Sequence, residues 1–194
     1  MTKIVESSDN MDNLIESNSH FAFEKMRKNK DYFKSIENTQ DPKVLWIGCS
    51  DSRTSPEILT NCDDPNSKSA IQYAVEHLKI YDIMVVGHTG CGAIKAALDY
   101  KHVEGDVATW IKPIYNTYKR YSKEINSLKT DEEKVNELSK LNVKRVVSVI
   151  NHLDFFKESA KKGKHINVNG YLLDLHNGQL KNLHLNKTNF HDGL

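Results

Sequence analysis

Residues 83–92 read IMVVGHTGCG, where a short, apolar and β-branched run ends in a histidine, a cysteine and three glycines. A second run of this kind, Val44–Gly48, leads into CSDSR at residues 49–53. Short runs that are apolar throughout are typical of strands buried on both faces of a parallel sheet. Because parallel strands end at the same edge of a sheet, the two polar segments are expected to meet there.

The chain between these two runs predicts a helix that links two parallel strands. In Ser69–Lys79 the apolar residues recur at helical spacing and share one face: Ile71, Ala74, Val75 and Leu78. The strand, the helix and the next strand together predict a βαβ unit. A third apolar run, Val146–Ile150, predicts one further strand of the same sheet.

Other patterns predict helices on either side of this sheet. The predicted helices are Leu14–Lys28, Cys91–Tyr100, Val107–Ile125 with an interruption at Pro113, Asp131–Leu141 and Leu153–Lys161. Thr130 and Glu133 have the spacing of a capping box before the fourth of these helices. Gly163 is the expected end of the fifth.

A hairpin is predicted near the C-terminus. Ile166–Leu175 alternates apolar and polar residues, and Asn177-Gly178 is a turn signal before Leu180–Leu185. The predicted fold class is therefore α/β: a central, mostly parallel β-sheet flanked by helices, with a C-terminal hairpin. At 194 residues we expect a single domain, residues 1–194, with an N-terminal helical arm over about residues 11–38.

The composition argues against several classes of protein. Hydrophobic residues make up 38% of the chain, which is enough for one ordinary core and too many for a disordered protein. The formal net charge of +1 gives no field that would draw the chain to nucleic acid or to a membrane surface. No apolar run approaches the ~20 residues of a membrane-spanning helix. The first residues are acidic, unlike a secretory signal, and the three cysteines are an odd number, so we expect a cytoplasmic protein with reduced thiols.

Three side chains in the two polar segments form a candidate zinc site: Cys49, His88 and Cys91. Zinc prefers thiolate and imidazole ligands, and a catalytic zinc site uses three protein ligands and leaves the fourth position open. His88 and Cys91 stand close together at a turn, where Gly90 and Gly92 allow a tight backbone. We therefore predict one zinc ion per chain.

Asp51 and Arg53 follow Cys49 closely, which brings a carboxylate and a guanidinium near the candidate zinc site. The Asp51 carboxylate could occupy the fourth zinc position, or it could accept a hydrogen bond from zinc-bound water. Arg53 could hold that carboxylate in a two-pronged salt bridge and keep it an acceptor at neutral pH.

Each of these motifs also has an ordinary structural interpretation. A lone buried cysteine is usually a small apolar side chain, and Asp and Arg after a strand often form a surface ion pair. The combination favours zinc because the three ligands follow two strands of one βαβ unit. Cys62 and the other histidines lack ligand spacing, and no metal-binding role is expected for them.

The motifs Cys-Ser-Asp-Ser-Arg and Gly-His-Thr-Gly-Cys-Gly-Ala together resemble the β-class carbonic anhydrases. The resemblance extends from about Leu14 to Leu185, and the tail Gly163–Leu183 is most similar to the fungal members. It implies the zinc ligands given above, a catalytic pair of Asp51 and Arg53, and a substrate pocket lined by Gln40, Tyr73 and Gly92.

The resemblance also implies a function. The implied reaction is the zinc-dependent, reversible hydration of CO₂ to bicarbonate and a proton, with zinc hydroxide as the nucleophile. The implied partners are the substrate CO₂ or bicarbonate and further copies of the chain in a homo-oligomer, a dimer or higher, without nucleic acid or membrane.

The chain departs from the family pattern after Arg53. The family continues with a Pro-Gly-Asp turn, a strand and an Arg-Asn-x-Ala-Asn segment, whereas Glu57–Lys68 runs directly to the helix that contains Ile71. That segment supplies pocket and dimer contacts in the family, so we expect a weakened or rearranged dimer, a more open zinc site and reduced activity. Two other functions stay open: a zinc-binding paralogue with a structural or regulatory role, and the hydrolysis of COS or CS₂.

Overall fold

The computed structural model describes residues 7–37, 42–48 and 65–185. It divides the chain into two compact units, Met1–Asp41 and Pro42–Leu194.

In the first unit the described residues form two helices, α1 (Ser7–Lys28) and α2 (Tyr32–Glu37). The predicted helix Leu14–Lys28 is confirmed, and α1 begins earlier than predicted. The Lys25 ammonium lies 5.1 Å from the centroid of the Tyr32 ring. This cation–π contact links the two helices.

The second unit is built on a sheet whose described strands lie in the order β1 (Val44–Ile47), β2 (Asp82–His88), β3 (Asn167–Asp174) and β4 (Gln179–Asn182). β2 is parallel to β1 and to β3, whereas β4 is antiparallel to β3. The predicted α/β class, with a mostly parallel sheet and a C-terminal hairpin, is confirmed. Among the described strands, β1 lies at one edge and β2 is paired on both sides.

Six helices of the second unit are described: α3 (Pro65–Glu76), α4 (Gly92–Leu98), α5 (Gly105–Arg120), α6 (Ser122–Asn126), α7 (Asp131–Asn151) and α8 (Asp154–Lys161). A 3₁₀ turn at Tyr100–His102 follows α4. The predicted helices are confirmed, although Pro113 lies inside α5 and the interruption comes later, between α5 and α6. Among the described residues, no helix is long and apolar enough to span a membrane.

The prediction of a strand at Val146–Ile150 is wrong, because this run lies in the second half of α7. The buried residues here recur at i, i+3, i+4 and i+7, which is the helical period: Val143, Val146, Val147 and Ile150. Burial of this face outweighs the β-propensity of the branched side chains. The third parallel strand is β3, which the sequence analysis placed in the C-terminal hairpin.

α7 lies close to the sheet because two strand residues that face it are glycines. A Cβ atom on Gly87 of β2 would lie 2.7 Å from Cγ2 of Val143, and one on Gly170 of β3 would lie 2.7 Å from its Cγ1. Glycine in a strand often marks such a close approach. α7 therefore packs directly against β2, which leads into the turn described below, and against β3, which lies beside it.

Two apolar cores lie in this unit, and α7 contributes to both. The first joins the sheet to α3, α7 and α8, and includes Ile71, Ile83, Val85, Val147 and Phe156. The second lies among α4, α5, α6 and α7, and includes Cys91, Ile94, Ile111, Ile125 and Leu138. The candidate ligand Cys91 therefore belongs to a packed core.

Candidate metal centre

β2 ends at His88, and the turn that follows it carries the two candidate ligands that the structure describes. Thr89 and Gly90 form the turn, and Cys91 is the N-cap residue of α4. Gly90 has a φ of +65°, the left-handed conformation that glycine adopts without strain. His88 is 1% exposed and Cys91 is 5% exposed. The turn thus carries a buried imidazole and a buried thiol.

A hydrogen bond within the turn fixes the tautomer of His88. Its Nδ1 lies 2.9 Å from the carbonyl oxygen of Thr89. A carbonyl oxygen only accepts, so in the neutral ring Nδ1 carries the proton and Nε2 carries the lone pair. Histidines that bind metal commonly donate the other ring N–H to a backbone carbonyl in this way. His88 therefore fits the predicted role of an imidazole ligand.

The turn is anchored to the end of β3 and to the residue that follows it by two hydrogen bonds. The Thr89 N–H donates to the Leu173 carbonyl at 3.0 Å, and the Leu175 N–H donates to the Thr89 hydroxyl at 3.0 Å.

Asp174 holds the start of the hairpin loop in place. The backbone N–H of His176 and the ammonium of Lys181 both donate to its carboxylate, and they lower the pKa of Asp174 from its ordinary value.

The turn is also anchored to α7. The Gly90 N–H donates to Oδ1 of Asn136 at 3.3 Å. The sequence analysis missed this partner, which lies 46 residues further along the chain. Its one signal in the sequence is a polar residue between Val135 and Leu138 on the apolar side of α7.

A small cavity of about 20 Å³ lies beside the two candidate ligands. Its lining includes His88 and Cys91 and, from α7, Ser139 and Asn142. This volume is enough for about one water molecule. The Ser139 hydroxyl is buried and has no hydrogen-bond partner within the described part of the chain. α7 therefore places two polar side chains, Ser139 and Asn142, in an otherwise largely apolar lining, another feature that the sequence analysis did not identify.

Four of the predicted site residues lie outside the described ranges: Gln40, Cys49, Asp51 and Arg53. Cys62, for which no metal-binding role is expected, also lies outside them. Within residues 7–37, 42–48 and 65–185, no group of three or more metal-binding side chains forms a site. His88 and Cys91 are the two predicted ligands whose positions the structure gives.

β1 directs the chain towards the same edge of the sheet as β2. Ile47, the last residue of β1, pairs with Val85 in parallel register. β2 continues from there to His88. The two strands therefore end at the same edge, as parallel pairing requires.

Tyr73 and Gly92, the other predicted pocket residues, lie on separate helices. Tyr73 is a half-exposed residue of α3, and its ring stacks on that of His77 with centroids 5.0 Å apart. Gly92 is the first residue of α4, and a Cβ there would meet no described atom within 4 Å. A small molecule can therefore approach the backbone at Gly92.

Comparison with known proteins identifies the family. The carbonic anhydrase family model matches residues 62–180. A carbonic anhydrase of Emericella nidulans is 30% identical to this chain, over 90% of this chain and 83% of that protein. The structure of a tetrameric β-carbonic anhydrase from the filamentous ascomycete Sordaria macrospora is similar, with a TM-score of 0.83, 28% identity, and coverage of 91% of this chain and 98% of that chain.

A second solved structure is also similar. It is a Coccomyxa β-carbonic anhydrase in complex with acetazolamide, with a TM-score of 0.80, 29% identity, and coverage of 88% of this chain and 85% of that chain. Together with the sheet topology and the buried His–Cys turn, these matches show that the chain belongs to the β-class carbonic anhydrases, a family of enzymes.

Proposed function

We propose that this enzyme catalyses the reversible hydration of CO₂ to bicarbonate and a proton, with one zinc ion held by Cys49, His88 and Cys91. Family membership supports the reaction. The observation that carries the proposal is the His88 ring, which is buried beside Cys91 and donates through Nδ1 to the Thr89 carbonyl. That arrangement leaves Nε2 as the ligating nitrogen, and the two cysteines would bind through Sγ.

Bound zinc supplies a Lewis acid that makes water acidic enough to act as a nucleophile near neutral pH. The residues of this chain supply orientation. In the proposal, the Asp51 carboxylate accepts a hydrogen bond from the attacking water and Arg53 holds that carboxylate in place. Gln40 donates to a substrate oxygen, Tyr73 closes the apolar side of the pocket, and the exposed backbone at Gly92 faces the substrate.

The zinc site is tested with purified protein in one experiment. Metal analysis should give one zinc per chain, and stopped-flow measurement should show CO₂ hydration. Cys91→Ser removes a ligand and should lose both zinc and activity, whereas the matched control Cys62→Ser should keep both. Wild-type protein without zinc, or a Cys91→Ser protein that retains all of its zinc, overturns the proposal.

The role of Asp51 is tested separately from metal binding. Asp51→Asn should keep its zinc and lose a factor of about 100 or more in hydration rate, the typical cost of removing an orienting hydrogen bond in an active site. Asp154→Asn is the control, because Asp154 is an exposed carboxylate on α8 whose partner is Lys157. A wild-type rate for Asp51→Asn contradicts the assigned role.

We also propose that the chain works as a homo-oligomer. The first unit exposes large apolar side chains on its two helices: Ile15, Phe21, Phe23, Met26, Phe33 and Ile36. Large exposed apolar patches mark interaction sites in soluble proteins, and these two helices are the candidate for such a site here. The similar enzyme of Sordaria macrospora is tetrameric. A second copy of this chain is the proposed partner for this surface.

The segment that is shortened in this chain, Glu57–Lys68, bears on the rate. Its predicted consequences are a rearranged dimer, a more open site and slower hydration, and most of the segment lies outside the described residues. A protein that holds zinc but does not hydrate CO₂ would support the structural or regulatory alternative. Turnover of COS or CS₂ by that same sample would support the hydrolase alternative.

A further inference from the structure

The parallel ladder between β2 and β3 ends in an unusual way at Thr89. The register pairs Gly87 with Leu172 and His88 with Leu173, so Thr89 would pair next with Asp174. In a parallel ladder that pair makes two bonds: the Thr89 N–H donates to the Leu173 carbonyl, and the Leu175 N–H donates to the Thr89 carbonyl. The first bond is present at 3.0 Å.

The second bond uses a different acceptor. The Leu175 N–H donates to the Thr89 hydroxyl, Oγ1, at 3.0 Å. The side chain of Thr89 therefore replaces its own backbone carbonyl in the ladder. That carbonyl accepts instead from Nδ1 of His88, at 2.9 Å.

The N–H on the other side of the peptide group between Thr89 and Gly90 also has a hydrogen-bond partner. The carbonyl of Thr89 and the N–H of Gly90 belong to one trans peptide, so they point in opposite directions. The Gly90 N–H donates to Oδ1 of Asn136 on α7. Asn136 thus holds one end of the peptide plane, and the other end is aimed at His88.

We propose that Thr89 and Asn136 are positioning residues for the zinc site. The Thr89 hydroxyl satisfies Leu175, Asn136 holds the N–H of Gly90, and together they direct one peptide carbonyl to His88. This carbonyl keeps His88 in the Nδ1–H tautomer, with the lone pair of Nε2 available to the metal. We call this arrangement of Thr89, Asn136 and the peptide group between Thr89 and Gly90 the clamp. The inference rests on the proposed function, because it assigns the purpose of the clamp to zinc binding.

The proposal depends on residue type and therefore predicts a graded series at Thr89. Thr89→Ser keeps a hydroxyl and should preserve the clamp. Thr89→Val keeps the shape but offers no acceptor to the Leu175 N–H. Buried backbone donors are almost always paired. In this variant the Leu175 N–H should therefore donate to the backbone carbonyl of residue 89, where it competes with Nδ1 of His88.

Asn136 provides a second series that leaves the turn sequence intact. Asn136→Asp keeps an acceptor oxygen for the Gly90 N–H, whereas Asn136→Leu removes it. Thr117→Val on α5 is the control, because it removes another largely buried threonine hydroxyl, bonded at 3.0 Å to the Pro113 carbonyl, without touching the turn.

Two readouts test the clamp. Zinc affinity is measured on purified protein by competition with a chromogenic chelator. The His88 tautomer is measured from the ¹⁵N shifts of the imidazole ring by NMR. Loss of a partner that orients a metal ligand typically weakens metal binding by about 10- to 100-fold. We expect a loss of this size for Thr89→Val and Asn136→Leu, with mixed His88 tautomers.

The rescuing variants and the control define the outcome. Thr89→Ser, Asn136→Asp and Thr117→Val should bind zinc as wild type does and keep the Nδ1–H tautomer. The proposal is overturned if Thr89→Val and Asn136→Leu keep both wild-type zinc affinity and the wild-type tautomer. It is also overturned if Thr117→Val loses as much affinity as they do, which would indicate a general effect of stability. If Thr89→Val does not fold, the Asn136 pair decides.

Failure of the proposed function gives a different pattern. Wild-type protein that binds no zinc but shows the Nδ1–H tautomer, with a mixture in Thr89→Val, refutes the zinc enzyme and the zinc-binding purpose, while it shows that Thr89 sets the His88 tautomer. Wild-type protein that binds zinc with His88 in another tautomer overturns the clamp and leaves the enzyme standing.

Discussion

The helices α1 and α7 have nearly the same length, 22 and 21 residues, but they are stabilised in different ways. α7 begins with a complete capping box, in which Thr130 and Glu133 satisfy each other's backbone N–H groups. It also contributes buried side chains to both apolar cores. α1 instead exposes large apolar side chains: Ile15, Phe21, Phe23 and Met26.

This difference shows where each helix obtains its stability. A helix is marginal in water on its own, and most of its stability in a protein comes from burying an apolar face. α7 buries that face within its own unit, and it also presents Asn136 and Ser139 to the turn and cavity of the site. The apolar side chains of α1 would gain equivalent burial in the proposed oligomer. α7 therefore belongs to the scaffold of the site, whereas the proposal assigns α1 to association between copies.

The largest expected effect is on the free energy of unfolding, when the same Ile→Ala substitution is made in each of the two helices. Ile150→Ala in α7 should lower the free energy of unfolding by about 2–5 kcal/mol, because Ile150 is 0% exposed and its loss leaves a cavity. Ile15→Ala in α1, where the side chain is 65% exposed, should change it by less than about 0.5 kcal/mol in dilute protein. Urea unfolding followed by circular dichroism gives both values. Equal losses would contradict the comparison.

The same comparison shows what sequence reasoning can recover of the fold. β1 and β2 were predicted within a residue or two because they are short apolar runs bounded by turn residues. Val146–Ile150 has the same local composition, yet it continues the helical face that begins at Val143. A short β-branched run is ambiguous by itself, and the register of buried residues before it decides between helix and strand.

The second prediction concerns the exposed face of α1. Phe23 is 60% exposed, and burying that surface against a second copy would stabilise the oligomer by about 1–2 kcal/mol. Phe23→Ser should therefore weaken association by about 5- to 30-fold. Sedimentation velocity over a range of protein concentrations measures the change. Val107→Ser, at a similarly exposed apolar position on α5, is the control. No change for Phe23→Ser, or an equal change for Val107→Ser, counts against α1 as the interface.

The sequence shows the candidate ligands of the site but not the residues that support the turn. Cys-x-Asp-x-Arg and His-x-x-Cys are local patterns, so a sequence reveals them directly. Thr89 looks like an ordinary turn residue, and its role depends on Leu175, which lies 86 residues further along the chain. The role of Asn136 likewise depends on the packing of α7 against the turn, which brings its Oδ1 to the Gly90 N–H. Partners that act across such separations leave no local pattern, because the fold creates their proximity.

The smallest expected effect is a pH dependence at the start of α7. The Glu133 carboxylate accepts hydrogen bonds from the backbone N–H of Thr130 at 2.9 Å and of Lys129 at 3.0 Å. These bonds, the Thr130 N–H foremost, lower the pKa of Glu133 from its ordinary value. A lowered pKa in the folded state means that the ionised group stabilises the protein above the ordinary glutamate pKa. This contribution is lost as the pH falls through the folded-state value.

Glu133→Gln should therefore be less stable than wild type at neutral pH, and the difference should shrink as the pH is lowered through the acidic range. Urea unfolding of both proteins at a series of pH values gives the difference between their free energies of unfolding. Effects of acid that the two proteins share cancel in this difference. Glu132→Gln is the matched control, since it removes a charge from the same first turn of α7. Because the folded-state pKa of Glu133 is lowered, the Glu133 difference should converge on acidification, and the Glu132 variant shows how far removal of a neighbouring charge changes stability by itself. A Glu133 difference that stays constant with pH would show that the capping box contributes nothing through its charge.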